Sequence, residues 1–352
     1  MRGSICNDGS GIRRTLEGVE LHRSLYNSPD VIPKLQLERH IRYCHQRSGW
    51  AYAMRSIARL THENPNAILL DAAIERNFGK LLELAVSEGR IPYRRPWAGF
   101  IHVPPEVPEW LEYRKSPRNY FQLPQWRESL PHCRGLITLS RDLRDWVSGQ
   151  LPGIPVLALH HPTEFSDRTF DFEAYLRHGE AVVQVGWWLR RFSSIHFLAL
   201  PRKRKHLLVP LDGIELPRFE SALEAERTHT NAPSLDQWDA TTLPRQPNDD
   251  YDELLTRSIV FLDLRAAAAN NAVIECIVRR TPVLVRRLPS TREYLGEDYP
   301  FFFDSLEEAA VKAADPGLVL QTHKYLVAKD ISFLSGETFC RELAESQMYQ
   351  SW

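Results

Sequence analysis

Residues 258–303 read SIVFLDLRAAAANNAVIECIVRRTPVLVRRLPSTREYLGEDYPFFF, and the order of residue types along them decides the fold. Ile259, Val260, Phe261 and Leu262 form a β-branched and aromatic run with Leu264 close behind, the composition of a strand buried on both faces. A loop of small residues follows and closes on Asn270 and Asn271. Apolar residues then recur at helical spacing (Val273, Ile274, Ile277, Val278) until Pro282 forbids continuation. Residues 283–285 are apolar again and predict a second strand. Strand, short loop, helix and strand in so few residues make a βαβ unit, with parallel strands and a right-handed crossover. Such sheets bind ligands at the carboxyl ends of strands, beside helix N-termini. The Ala/Asn loop therefore stands where an anion would sit.

Upstream the same alternation recurs. Strands are expected at 40–45, 67–70 (ending at Asp71), 98–103, 135–139 and 156–159, with helices at 50–60, 78–86, 124–130 and 140–147 between them. The Pro-, Glu- and Arg-rich stretch at 104–123 is long for a compact domain and reads as a functional lid. HHPTEFSD at 160–167 interrupts the pattern. A second alternation starts at 181–185 and runs through strands at 206–210 and 239–243 and helices at 216–226 and 250–256 into the βαβ unit. Helical stretches at 306–314, 318–327 and 338–346 close the chain. The expected fold is α/β, with two Rossmann-like domains and mainly parallel sheets. Residues 1–39, with a short helix at 16–25, read as an N-terminal extension. Residues 40–165 are the first domain and 166–352 the second, with the last helix returning to the first.

Composition narrows the class. At 352 residues the chain has room for two domains, and 43% hydrophobic with 25% charged residues is ordinary for a soluble globular protein. A formal net charge of −1 gives no global attraction to nucleic acid or membrane. No apolar run is long enough to span a bilayer, and MRGSICNDGSGIRR lacks the apolar core of a signal peptide. The five cysteines (Cys6, Cys44, Cys133, Cys276, Cys340) have no CxxC spacing, which argues against a disulfide framework and a zinc site. A cytoplasmic protein with free thiols and no bound metal is expected. Arg202-Lys203-Arg204-Lys205 reads as a solvated loop or as a peripheral contact with anionic lipid.

Gly186 at the end of a strand, Arg190 and Arg191 just after it, and Glu275 on a helix behind a small-residue loop resemble the GT-B glycosyltransferases marked by a Glu-x7-Glu motif. The likeness is clearest over residues 136–303 and fainter before them. It implies transfer of a hexose-like sugar from a nucleotide-diphosphate sugar to a hydroxyl of a glycan or lipid-linked acceptor, as in polysaccharide biosynthesis. It also implies retention of configuration, no metal or other cofactor, and a nucleotide sugar as substrate. Gly186, Arg190, Arg191, Asn270, Asn271 and Glu275 then fall at the donor, with Glu275 on the ribose and the arginines on the diphosphate. His102, after the strand at 98–103, falls by the reactive sugar, and Ser48, Gly49 and Trp50 fall on the acceptor side. The catalytic set implied is His102, Arg190 and Arg191.

The residue chemistry agrees with these assignments. A carboxylate accepts two hydrogen bonds from a vicinal diol, and guanidinium forks match phosphate oxygens. A neutral imidazole can accept a hydroxyl proton. Each residue also has a structural reading: Glu275 paired with Arg279 at i,i+4, worth about 0.3–0.5 kcal/mol, Asn270 and Asn271 as a helix cap, and Arg190-Arg191 as an exposed loop. Trp187 and Trp188 stack on a ligand or pack, and Asp263 tethers a loop or contacts a ligand.

The sequence departs from the pattern at two points. Ala267 stands where the first Glu belongs, and Phe192-Ser193-Ser194 replaces the second cation. The alternatives are accordingly a GT-B relative that binds without catalysis and a nucleotide-sugar epimerase on the same fold. No P-loop, HExxH, GxSxG or GxGxxG is present, against NTPase, metalloprotease, hydrolase and dehydrogenase classes.

Overall fold

The βαβ unit is the centre of the larger of two parallel sheets. The computed structural model describes residues 32–38, 49–209 and 215–352. The strand expected at 40–45, the helix at 16–25 and the site residue Ser48 lie outside them. The first sheet contains β1 (Leu35–Leu37), β2 (Ile68–Asp71), β3 (Trp97–Ile101), β4 (Cys133–Thr138) and β5 (Val156–Ala158), in spatial order β1-β2-β3-β4-β5 and parallel throughout. The second contains β6 (Val182–Gln184), β7 (Lys205–Val209), β8 (Thr241–Pro244), β9 (Ile259–Leu262), β10 (Val283–Arg286) and β11 (Phe302–Phe303). Its spatial order is β11-β10-β9-β6-β7-β8, again all parallel. Counted from β6, that is the 3-2-1-4-5-6 order of the Rossmann fold, whose switch point lies between the first and fourth strands. Here the switch point separates β6 from β9.

β1 falls inside the stretch read as an extension. It is a three-residue edge strand with only Leu35 fully buried, too short to show a period in sequence. A helix at Pro289–Leu295 is also new relative to the sequence reading; its first turn is set by Pro289, with Leu288 as cap.

Four features join the two sheets. The 104–123 stretch is a strap: Val103, Val107 and Leu111 leave β3 and bury themselves in the hydrophobic cluster of the second sheet. Conversely, Ala268 from the loop after β9 is buried in the cluster of the first. The terminal helices Gly336–Glu345 and Gln347–Ser351 pack on the first sheet, where Phe339 stacks 6.0 Å from Phe100 and Gly336 N donates to Tyr52 Oη at 3.2 Å. Tyr294, buried on helix Pro289–Leu295, donates its hydroxyl to Leu139 O and accepts from His161 N, each at 2.8 Å. One phenol thus holds the chain just beyond both β4 and β5.

The basic run at 202–205 is mostly committed inward. Lys205 begins β7 fully buried, its Nζ bonded to His196 O, Leu198 O and Asp239 Oδ2 at 2.9–3.0 Å. Arg204 holds Glu180 O and Ala313 O at 2.9 Å, so only Arg202 and Lys203 face solvent. Among the described residues no helix is long and apolar enough to cross a membrane.

At the carboxyl ends of β1 and β2, Glu38 approaches Asp71, which accepts from Ala73 N at 2.8 Å, Asn77 Nδ2 at 2.7 Å and the Tyr93 hydroxyl. Burial, and then the Asp71 charge, push the Glu38 carboxyl up from 4.5 to about 7. The folded state therefore holds a proton that the unfolded chain releases, and stability falls as pH rises through that window. Glu38→Gln is expected to stabilise the protein at pH 8 by about 1–2 kcal/mol, discounted for partial solvent access. The gain should vanish at about pH 4.5. Urea unfolding of both proteins at the two pH values measures this, and equal stability at pH 8 would refute it.

Candidate functional site

A cleft of about 460 Å³ opens at the switch point, between the carboxyl ends of the two sheets. One wall comes from the loops after β6 and β9 and the other from the ends of β3, β4 and β5 with helix Gly49–Ser56.

The first wall is built on Gly186. Its φ of +68° turns the chain sharply after β6, and a Cβ there would come 2.9 Å from the Arg190 guanidinium. The loop then zips against the loop after β9: Arg190 bridges Leu264, Arg191 N donates to Asp263 O at 2.9 Å and Arg265 N to Leu189 O at 2.8 Å. Behind it, the fully buried Glu226 accepts from Phe192 N and Ser193 N, both at 3.0 Å, Ser193 Oγ at 2.7 Å and Arg265 Nη2 at 3.1 Å. A carboxylate with four donors is a strong clamp in a dry site.

Arg190 is the product of this scaffold. It is 8% exposed, and its guanidinium donates to Trp188 O at 2.9 Å and to Asn270 Oδ1 at 3.5 Å, while Nε has no partner. Among the described residues no carboxylate pairs with it directly. Burial lowers its pKa to about 10, opposed by the more distant Tyr251 and Glu275. Asn270 also caps helix Asn271–Arg279, its Oδ1 accepting Val273 N at 3.3 Å. That helix presents its remaining open N–H groups and positive end beside Arg190. Asn270 and Asn271 both line the cleft, as does Ala267, at the position of the missing Glu.

The second wall carries hydrogen-bond acceptors. His102 follows β3, and its Nε2 lies 2.8 Å from Ala72 O; a carbonyl only accepts, so the neutral ring carries its proton there and leaves Nδ1 with the lone pair. Glu75 Oε1 accepts His102 N at 2.5 Å and Val103 N at 2.9 Å and so fixes the turn on which the imidazole stands. Burial pushes the Glu75 carboxyl up, against the attraction of His102. Trp50, one residue after Gly49, is buried edge-on to His102 at 4.3 Å and 5.2 Å from the His161 ring.

Of the residues singled out from sequence, His102, Trp50, Arg190, Asn270 and Asn271 meet in the cleft, with Gly186 shaping it. Gly49 opens the helix that carries Trp50. Arg191 does not line the cleft: its guanidinium bonds Asp263 Oδ1 at 2.8 Å and Leu264 O at 3.2 Å. Asp263 also holds Arg286 Nε and Ser194 Oγ, both at 2.6 Å, so it tethers loops. Glu275 does not line this cleft directly; it accepts the Tyr251 hydroxyl at 3.1 Å, while Arg279 pairs with Asp252 and donates to the Glu275 backbone carbonyl. Trp188 lines the cleft with Lys115 over its ring at 4.7 Å. Glu75 and His161 were not singled out as site residues. The first sits at a helix start and the second in an irregular segment, and only the doublet HH just after β5 marks the latter in sequence.

The sequence has no match among family profiles or curated proteins. In fold the chain is similar to TarM (TM-score 0.53, 11% identity, 84% of this chain and 58% of TarM). It is similar also to Anabaena HepE in complex with UDP and glucose (0.52, 12%, 72% of this chain and 71% of that one) and to apo OtsA (0.51, 11%, 84% and 76%). The chain thus spans well under two thirds of TarM's length. At these identities the likeness concerns architecture, and the architecture is that of the GT-B glycosyltransferases.

Proposed function

We propose that this protein transfers a sugar from a nucleotide-diphosphate sugar to a hydroxyl acceptor. The observation that carries the reading is Arg190: a buried cation with only neutral hydrogen-bond partners, beside a helix N-terminus, at the switch point of a Rossmann-ordered sheet. Such a cation needs an anion, and the diphosphate fits the fork and the helix end together. The facing wall of His102, Glu75 and His161 offers lone pairs to sugar hydroxyls. In this arrangement Arg190 and the helix dipole offset charge developing on the leaving diphosphate. His102 takes the place beside the reactive carbon, and Glu275 reaches the ribose from the helix. HepE, similar in fold, was solved in complex with UDP and glucose, which supports a donor of this class. The acceptor, a glycan or a lipid-linked sugar, enters from the first sheet's side.

Ala267 supports a second reading, a protein that binds nucleotide sugar without turnover. Calorimetric titration with UDP, GDP and ADP, followed by donor hydrolysis with whichever sugar nucleotide binds, separates the two: slow hydrolysis supports the transferase. No binding of any nucleotide would sink both. Glu275→Ala is expected to weaken nucleotide affinity about tenfold, and unchanged affinity would remove its ribose role.

A further inference from the structure

His161, like His102, is an imidazole of the cleft whose two nitrogens can both be assigned while its backbone is held. It follows β5, is 5% exposed and lines the cleft. Its backbone N–H is held by the Tyr294 hydroxyl, and its Nδ1 lies 2.8 Å from Pro162 O. A carbonyl cannot donate, so Nδ1 carries the ring proton and Nε2 carries the lone pair. Nδ1 being turned back to the chain, Nε2 is the nitrogen left for a ligand, and among the described residues no hydrogen bond engages it. The ring packs against Trp50, which also touches His102. We infer that His161 is a specificity residue: a fixed, neutral hydrogen-bond acceptor that takes a hydroxyl of the sugar moiety in this cleft. The inference rests on the sugar-transfer reading of the same site.

The surroundings make a donor or base role inconsistent with the geometry. The titratable groups facing the ring are His102 from the end of β3 and Glu75 from the segment before it, with Arg190 across the cleft and Tyr294 behind the backbone. Burial first, and His102 second, lower the His161 pKa to about 4. The ring therefore stays neutral at physiological pH, too weak a base to take a proton in the reaction but well suited to accept a hydrogen bond. His102 lines the same wall, with its Nε2 turned to Ala72 O. A site built to bond hydroxyls rejects ligands that lack them, because its acceptors would be left unpaired.

Two measurements test this. In ¹⁵N-histidine NMR of the free protein, His161 is expected in the Nδ1–H tautomer with no titration between pH 5.5 and 8; an Nε2–H tautomer or a midpoint within that range overturns the inference whatever the protein's activity. The second uses UDP and UDP-glucose as probes. His161→Asn keeps an amide donor for Pro162 O but has nothing at the Nε2 position, while His161→Gln returns an oxygen there. His161→Asn is expected to lower affinity for UDP-glucose about tenfold with affinity for UDP unchanged, and His161→Gln to recover part of the loss. Wild-type behaviour of His161→Asn, or an equal loss for UDP, overturns the inference alone. Failure of the unaltered protein to bind UDP overturns the sugar-transfer reading and the inference with it.

Discussion

Arg190→Ala should lower donor turnover with UDP-glucose by about 10²–10³-fold and leave the ligand-free protein no less stable. The two effects separate because of how the residue is held. Its guanidinium is buried, has one unpartnered N–H and bonds only neutral oxygens, so the folded apo protein gains little from it. A bound diphosphate changes that, since charge-assisted hydrogen bonds in a dry cleft are stronger than neutral ones. Arg190→Lys keeps the charge and loses the fork, and should fall between the two. Calorimetry with UDP and thermal unfolding without it make the comparison. If alanine binds UDP as tightly as arginine does, the phosphate role is wrong. If it unfolds many degrees earlier, Arg190 is structural.

The second large effect is expected at Gly186. Its φ of +68° disfavours any side chain, and a β-carbon would stand 2.9 Å from both the Arg190 central carbon and Nη2. A guanidinium is the far end of a flexible side chain, so the clash is relieved by moving it. Gly186→Ala should therefore cost about 1–2 kcal/mol of stability from backbone strain and in addition weaken UDP binding by at least about tenfold. Gly153 is a built-in control: its φ is +91° and nothing lies within 4 Å of where its Cβ would be. Gly153→Ala should show the strain and leave UDP binding alone. Equal UDP affinity in both variants would mean that Gly186 does not set the position of Arg190.

Much of this site was legible in the sequence, because strand-loop-helix order and a glycine before a basic pair are local signals. The Rossmann halves, Gly186, Arg190 and the Asn270 cap all follow from short windows. What escaped depends on side-chain direction or on distant partners. Arg190 and Arg191 are adjacent, yet one faces the cleft and the other is claimed by Asp263, 72 residues away in sequence. A strap and a lid share a composition, and only the burial of Val107 and Leu111 tells them apart. Glu75 shows its part only where its carboxylate meets the backbone N–H groups of His102 and Val103. His161 could not be assigned until the tautomer could be read from Pro162.

The hydroxyl of Tyr294 touches both Leu139 O and His161 N. Those bonds converge on one atom, so rotation of one half against the other about that point preserves both, whereas translation along the seam breaks both. Sliding of the sheets along their seam is thereby opposed at the floor of the cleft, where both bonds would be lost together.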